Sequence, residues 1–390
     1  MLKRLLMIVI GSLLLCSCAR LTDPRVIADV PVSGGKNPVD WAPDGRRLLY
    51  IHPENVFGPA MLLDLDQPDQ PKPLTKTPTH SLAFSQDGQS FAYVGDHPGP
   101  GRPESTVFVQ SLAGGEPVDL FPDGGSVHGV SGAIFVDRWL DERTLAYIEG
   151  MGTGVRALWL VDVPTRKMLL PVSTDYVATE FTWTKDGSRV AGQLGGGPPH
   201  FWLWDRPSGE FIKPASPLPG TAQWFEAWAP DGRSVLFTAW TGGIPYWDRT
   251  AVATLYRWHL ADSRVEKVAE HAGRADTSGD YRVFIHFGER PTLMVTRAAD
   301  GQTVWSEPLG KWERPADGPP RWPSRPLLQN GYIAYAHGDG AWYVSPLERR
   351  APKALVKGSD LQLQWSPDAR HLSVLGGDPA RLRVLVNPAR

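Results

Sequence analysis

WAPDGRRLLYI at 41–51 and WAPDGRSVLFT at 228–238 are two copies of one phrase. Further copies read FSQDGQSFAYV (84–94), WTKDGSRVAGQL (183–194) and WSPDARHLSVL (365–375). Each begins with Trp or Phe, passes after two intervening residues through an Asp-Gly or Asp-Ala pair, and ends in an apolar run. Asp can hydrogen-bond its own backbone and Gly accepts positive φ, so the pair reads as a tight turn between two strands. Repetition of such a unit along a chain signals an array in which one small sheet is copied.

Eight segments fit a template of four strands. The first strand ends at the aromatic residue, the second follows the turn, the third is often aromatic, and a short fourth closes the unit. The first begins at Trp41 with LLYI (48–51), MLLDL (61–65) and PLT (73–75), and the second at Phe84 with FAYV (91–94), TVFVQSL (106–112) and VDLF (118–121). In the third, at Trp139, DERT (141–144) replaces the Asp-Gly turn; the fourth and fifth start at Trp183 and Trp228. The sixth (SGDYRVFIHF, 278–287) and seventh (QNGYIAYAH, 329–337) are degenerate, and the eighth starts at Trp365 and lacks a fourth strand. An unassigned apolar run, RVIADV (25–30), precedes the first segment and can supply that strand. Such closure leaves no exposed sheet edge.

Trp41 and Trp365 stand 324 residues apart across seven intervals, or about 46 residues per unit, the length of a four-stranded propeller blade. The expected fold is therefore all-β: a single eight-bladed β-propeller of four-stranded antiparallel blades, its ring closed by an N-terminal strand. A seven-bladed ring is the alternative, with the sixth or seventh segment as an insertion. Second and third strands alternate with period two and no long 3.6-residue period appears, which argues against a helical solenoid.

Composition agrees. The chain has 390 residues, 40 Gly, 37 Pro and 16 Trp, as short strands joined by many turns require. A formal net charge of −2 offers no basic footprint for nucleic acid.

Both cysteines lie near the N-terminus, after a basic start (Lys3, Arg4) and an apolar stretch from Leu5 to Leu15. That stretch is too short to span a bilayer and reads as a secretory signal. Leu15-Cys16-Ser17-Cys18 resembles the bacterial lipobox, in which a small residue precedes the lipidated cysteine; Ser17 puts Cys18 in that position. The resemblance implies a signal peptide over 1–17, a mature chain beginning at acylated Cys18, a tether over 18–24 and a propeller over 25–390. Ordinary cleavage with release and an uncleaved anchor are the alternatives. Acylation of Cys18 and removal of Cys16 leave no disulfide. Ala19 rather than Asp resembles the outer-membrane sorting choice, where two membranes exist; otherwise the outer face of the cell membrane is expected.

The phrase W-[SA]-P-D-G before an apolar strand resembles the WD40-like repeat of the TolB family, which also occurs in the propellers of prolyl-oligopeptidase-type peptidases. The likeness covers most of the chain. It implies a propeller without the α/β domain of TolB proteins, for which no room remains, and without a hydrolase domain, because no G-x-S-x-G occurs.

The recurring Trp41, Trp139, Trp183, Trp228 and Trp365 are read as wedges packed between blades. His52, His286 and His337 follow second strands, with His97 a little farther on; Glu149, Gly195 and Trp240 stand near the corresponding places. Imidazoles around a channel mouth can bind metal, but this ring is incomplete and no metal or other cofactor is expected. Asp64 and Asp66 sit two apart on a strand, and Glu180 and Glu226 on adjacent first strands; neither pair makes a calcium loop or a glycosidase site. The most distinctive feature is aromatic: Trp224, Phe225, Trp240, Tyr246, Trp247, Tyr256 and Trp258, with a long insertion at 241–251 that also holds Asp248 and Arg249. Long loops on rigid scaffolds carry function. Trp240, Tyr246 and Trp247 are the expected ligand-binding residues, against a self-packed loop as the alternative. The functional expectation is a non-catalytic, lipid-anchored module of the cell envelope that binds a protein or glycan. The competing class is a propeller lyase, lactonase or glycosidase working at the channel mouth, with His52, His286, His337 and Glu149 as nominees.

Overall fold

The structure, a computed structural model, describes residues 25–33, 38–54, 58–96, 105–122, 134–150, 156–172, 178–194, 200–212, 218, 221–241, 252–288, 290–310, 324–358, 361–377 and 380–390. Among these, thirty-two strands form eight four-stranded antiparallel sheets, each in simple up-and-down order. Blades 1 to 7 span 39–73, 79–119, 134–172, 180–212, 222–270, 272–308 and 327–357. Blade 8 takes Gln362–Trp365, His371–Gly376 and Arg381–Val386 from the C-terminal end and Val26–Pro31 from the N-terminal end. The protein is thus an eight-bladed propeller, both degenerate segments being full blades.

The turns form as their residues dictate. Asp44 Oδ1 accepts from the backbone N–H of Arg46 (2.8 Å) and Arg47 (3.2 Å), and Gly45 takes φ +68°. DERT keeps the same chemistry, with Asp141 accepting from the N–H of Arg143 (2.8 Å) and Thr144 (2.7 Å). Ala369 holds φ +57° where its sister turns have Gly.

Second strands are buried on both faces, as in Arg47–Ile51 and Ser234–Thr241, so their sequences run apolar without strict alternation. Fourth strands such as Val265–Glu270 are largely exposed. The core consists of eight wedges, one between each pair of neighbouring blades. The wedge between blades 8 and 1 packs Ala28, Val32, Leu382 and Val384 on Trp41, Leu48 and Tyr50, so closure is a hydrophobic event. The five repeat tryptophans are all buried. Four of them donate their indole N–H backwards around the ring: Trp41 to Ser373 Oγ (3.3 Å), Trp183 to Asp137 Oδ2 (2.7 Å), Trp228 to the Thr182 carbonyl (2.9 Å) and Trp365 to the Leu327 carbonyl (3.0 Å).

The topology gives the ring two unlike faces. First-to-second and third-to-fourth connections, including every Asp-Gly turn, lie on one face. Second-to-third and fourth-to-first connections leave from the other, and the longest intervals of sequence between strands, 97–104, 120–133, 242–251 and 309–326, fall at these connections. The first strands of blades 1, 2 and 3 pack in series, as do those of blades 5, 6, 7 and 8. Among the described residues no helix is long and apolar enough to cross a membrane.

Candidate functional site

Two places carry chemistry beyond closure: the channel, and the mouth of blades 5 and 6 on the long-connection face.

A cavity of about 350 Å³ opens in the channel between blades 8, 1, 2 and 3. Leu82, Leu363 and Leu375 give it apolar walls, and Gln362, Gln364, Ser373, Asp40 and Asp137 supply polar groups. Asp40 precedes Trp41 on the first strand of blade 1, and its Oδ2 accepts from the Phe84 N–H of blade 2 at 2.8 Å. Asp137 sits at a bulge between Val136 and Arg138 on the first strand of blade 3. Its Oδ2 takes the Trp183 indole N–H. Both aspartates are half-buried and line the cavity. Burial lifts each to about pKa 6 despite these donors and the nearby Arg138 cation, which both feel. One guanidinium faces two carboxyls. Across the ring Asp276 is also raised by burial, opposed by Arg325 at 3.7 Å.

Not every channel acid is available. Glu226 is buried and accepts from Thr238 Oγ1 (2.6 Å), the Arg274 N–H (3.1 Å) and the Ala275 N–H (3.2 Å). It fastens blade 5 to the bulged first strand of blade 6. Ser81 and Gln193 do similar work at other seams, accepting from the N–H of Val136 (2.8 Å) and Phe225 (2.7 Å). Glu180 is exposed, so the two glutamates occupy opposite environments and form no matched pair.

At the second place, Trp240 is the penultimate residue of the second strand of blade 5, between Ala222 and Ala253. Its half-buried ring stacks on Phe287 of blade 6, centroids 6.5 Å apart and planes 25° from parallel. Beside them the exposed His271 and His286 meet edge to face at 6.4 Å. Tyr246, Trp247, Asp248 and Arg249 lie outside the described residues, as does Cys18. Part of the aromatic concentration belongs to the core: Phe225 and Trp258 are buried, and Tyr256 stacks on Phe237 at 5.5 Å.

The histidines disperse. His52 lies 3.7 Å from Glu54 in its own blade, whereas His337 lies 3.7 Å from Glu307 of blade 6 and packs on Tyr343 at 4.8 Å. His97 and Gly195 fall outside the described residues. Glu149 is buried. Among the described residues no three His, Cys, Asp or Glu side chains gather as one ion would require. The strand expected to hold Asp64 and Asp66 stops at Asp64; Asp66 is in the next turn, where its N–H donates to Asp64 Oδ1 at 2.9 Å.

Asp40 and Asp137 were not singled out by sequence reasoning. A signal existed: an acid one or two residues before the repeat tryptophan, in Asp40-Trp41, Asp137-Arg138-Trp139 and Glu226-Ala227-Trp228.

The fold defines the protein's class as a β-propeller. No family model matches the chain, and no curated protein matches it. It is similar in structure to the oligogalacturonate lyase of Vibrio parahaemolyticus (TM-score 0.51, 13% identity, covering 94% of this chain and 99% of that one). It is likewise similar to an oligogalacturonate lyase in complex with manganese (TM-score 0.50, 12% identity, 92% and 98% covered). A computationally designed protein is similar to the same degree (TM-score 0.51, 13% identity, 92% and 99% covered). At these identities the likeness is one of fold.

Proposed function

We propose that this chain is a lipid-anchored propeller of the bacterial cell envelope, with the TolB-type repeat as its scaffold, that binds a protein or glycan partner on its long-connection face without catalysing a reaction. The observation that carries the reading is the Trp240–Phe287 stack at the seam of blades 5 and 6, at the root of the insertion that holds Tyr246 and Trp247. Stacked, half-buried rings on a rigid rim offer apolar area at little conformational cost, which suits a sugar face or a protein hot spot. The polar groups at most other blade seams are consumed in closing the ring, so variation is left to the loops. A photo-crosslinking residue at Trp240, compared with one at Arg233 on the turn face, tests this in whole cells. A discrete adduct at position 240 alone is expected, and adducts at both positions or at 233 only would count against it.

A second reading, catalysis in the channel, is favoured by Asp40 and Asp137: carboxyls that titrate near pH 6 can act as acid or base near neutrality. The fold likeness to oligogalacturonate lyases points the same way. Two carboxyls against one guanidinium repel a polyanionic uronate chain, however, so a neutral or cationic substrate suits this cavity better. Release of unsaturated product from oligogalacturonate, with or without added manganese, and its loss in Asp137→Asn, would replace the first reading by this one.

A further inference from the structure

We propose that the propeller stands on the membrane with its turn face toward the lipid, holding the channel mouth and the Trp240 rim away from the bilayer. This rests on the Cys18 anchor proposed above and deepens it by assigning the surface that meets lipid.

The warrant is where the N-terminal strand enters the ring. Val26–Pro31 is the outermost strand of blade 8 and runs antiparallel to Arg381–Val386, with Val26 opposite Leu385 and Pro31 opposite Arg381. At the Val26 end, the Val386 N–H donates to the Arg25 carbonyl at 3.0 Å. The next residue, Asn387, bonds through its N–H to the Arg370 carbonyl (2.8 Å) and through Nδ2 to the Ala369 carbonyl (2.9 Å). Ala369 and Arg370 belong to the W-S-P-D-A-R turn, so Arg25 enters the ring at the level of the turn face.

From Cys18 to Arg25 the chain has seven steps, a reach of at most about 25 Å fully extended and about 15 Å for a typical flexible chain. Turned the other way up, the tether would have to climb the whole strand Val26–Pro31, about 17 Å. That exceeds the relaxed reach and costs the entropy of a stretched chain. With the turn face down, no stretching is needed.

The reach of the tether does not depend on charge. Four exposed arginines of the turn face are paired, Arg46 with Asp66 (3.5 Å), Arg143 with Asp162 (3.1 Å), Arg264 with Asp262 (3.6 Å) and Arg370 with Asp368 (3.2 Å), and Arg166, Arg233 and Arg349 are exposed on the same face. Because reach sets it, the orientation is expected on uncharged lipid and in high salt alike.

Residues 19–390 contain no cysteine, so one introduced thiol labels uniquely once Cys18 is acylated. The full chain, processed in cells, is reconstituted in phosphatidylcholine vesicles bearing a headgroup acceptor dye. Donor dyes are placed at Arg233→Cys (turn face, blade 5) or His286→Cys (opposite face, blade 6), both exposed positions. Energy transfer several-fold stronger from position 233, unchanged in high salt, is the expected result. Equal transfer, or stronger transfer from 286, on vesicle-bound acylated protein overturns the orientation while leaving the anchor intact. If Cys18 takes up no labelled fatty acid and the protein does not float with vesicles, the anchored reading falls and takes this inference with it.

Discussion

The Arg381 guanidinium donates to Asp29 Oδ1 at 2.6 Å, joining residues 352 apart in sequence on the last two strands of one sheet. Beneath this surface pair the ring closes on apolar side chains, and the two contributions separate experimentally. Both charged groups are more than two-fifths exposed, so Arg381→Ala is expected to cost less than about 1 kcal/mol. Ala28 is only 6% exposed and packs in the wedge with Trp41 and Tyr50; Ala28→Asp buries a charge without a partner and should cost at least about 2 kcal/mol. Urea denaturation of both variants checks the order. A larger loss from Arg381→Ala would mean that the ion pair, not burial, holds the ring shut.

The channel aspartates make stability pH-dependent in an unusual direction. Burial keeps Asp40 and Asp137 protonated up to about pH 6, whereas the unfolded chain loses these protons near 3.8. Between those values the folded state binds more protons, so this contribution to stability falls as pH rises from about 4 to about 6 and stays low above. Asn keeps an acceptor oxygen for the Phe84 or Trp183 donor and removes the buried charge. Asp40→Asn and Asp137→Asn should each stabilise by up to about 3 kcal/mol near pH 7.5 and change little near pH 4. Equal effects at the two pH values would show that desolvation of the carboxylate is not the cause.

Replacing the Glu226 carboxylate by an amide is expected to destabilise, because its oxygens are already taken. Both accept hydrogen bonds, one from Thr238 and the Arg274 N–H and one from the Ala275 N–H. Glu226→Gln turns an amide N–H₂ toward one of those donors, at a cost of about 1–3 kcal/mol. Faster amide exchange at Ala275, localised to the seam of blades 5 and 6, is the accompanying signature; uniform change across the ring would contradict it.

Trp240→Ala removes one ring of the stack with Phe287 and should cost about 1 kcal/mol of stability. Partner capture should fall at least tenfold, with Trp247→Ala behaving likewise. Unchanged binding in both variants, measured on folded protein, would clear this rim of any role.

The blade architecture was legible because each copy of W-x-x-D-G restates the same local rule. Asp44 and Asp141 make the same turn from different surroundings, WAPDG and WLDER. The closing strand could be anticipated by counting, though it begins at Val26 rather than Arg25, and the short fourth strand of blade 1 is Lys72–Pro73 rather than 73–75. The wedge role of the tryptophans was legible for the same reason, since equivalent positions pack equivalently.

The site was less legible. Asp40 and Asp137 are nearly a hundred residues apart and become neighbours of one cavity only when blades 1 and 3 are set around a common axis. The histidines share a position in the repeat, yet His52 and His337 each lie beside a different acid, Glu54 of the same blade and Glu307, which only the packing of blade 7 on blade 6 brings alongside.

Local chain chemistry by itself determined the turns and the strands, because those depend on neighbours a few residues away repeated along the chain, and it left the choice between eight blades and seven to the closed ring. Only the closed ring decided which acids are desolvated, which are tied to backbone donors and which face Arg25 enters, because each of these depends on what a different blade brings alongside.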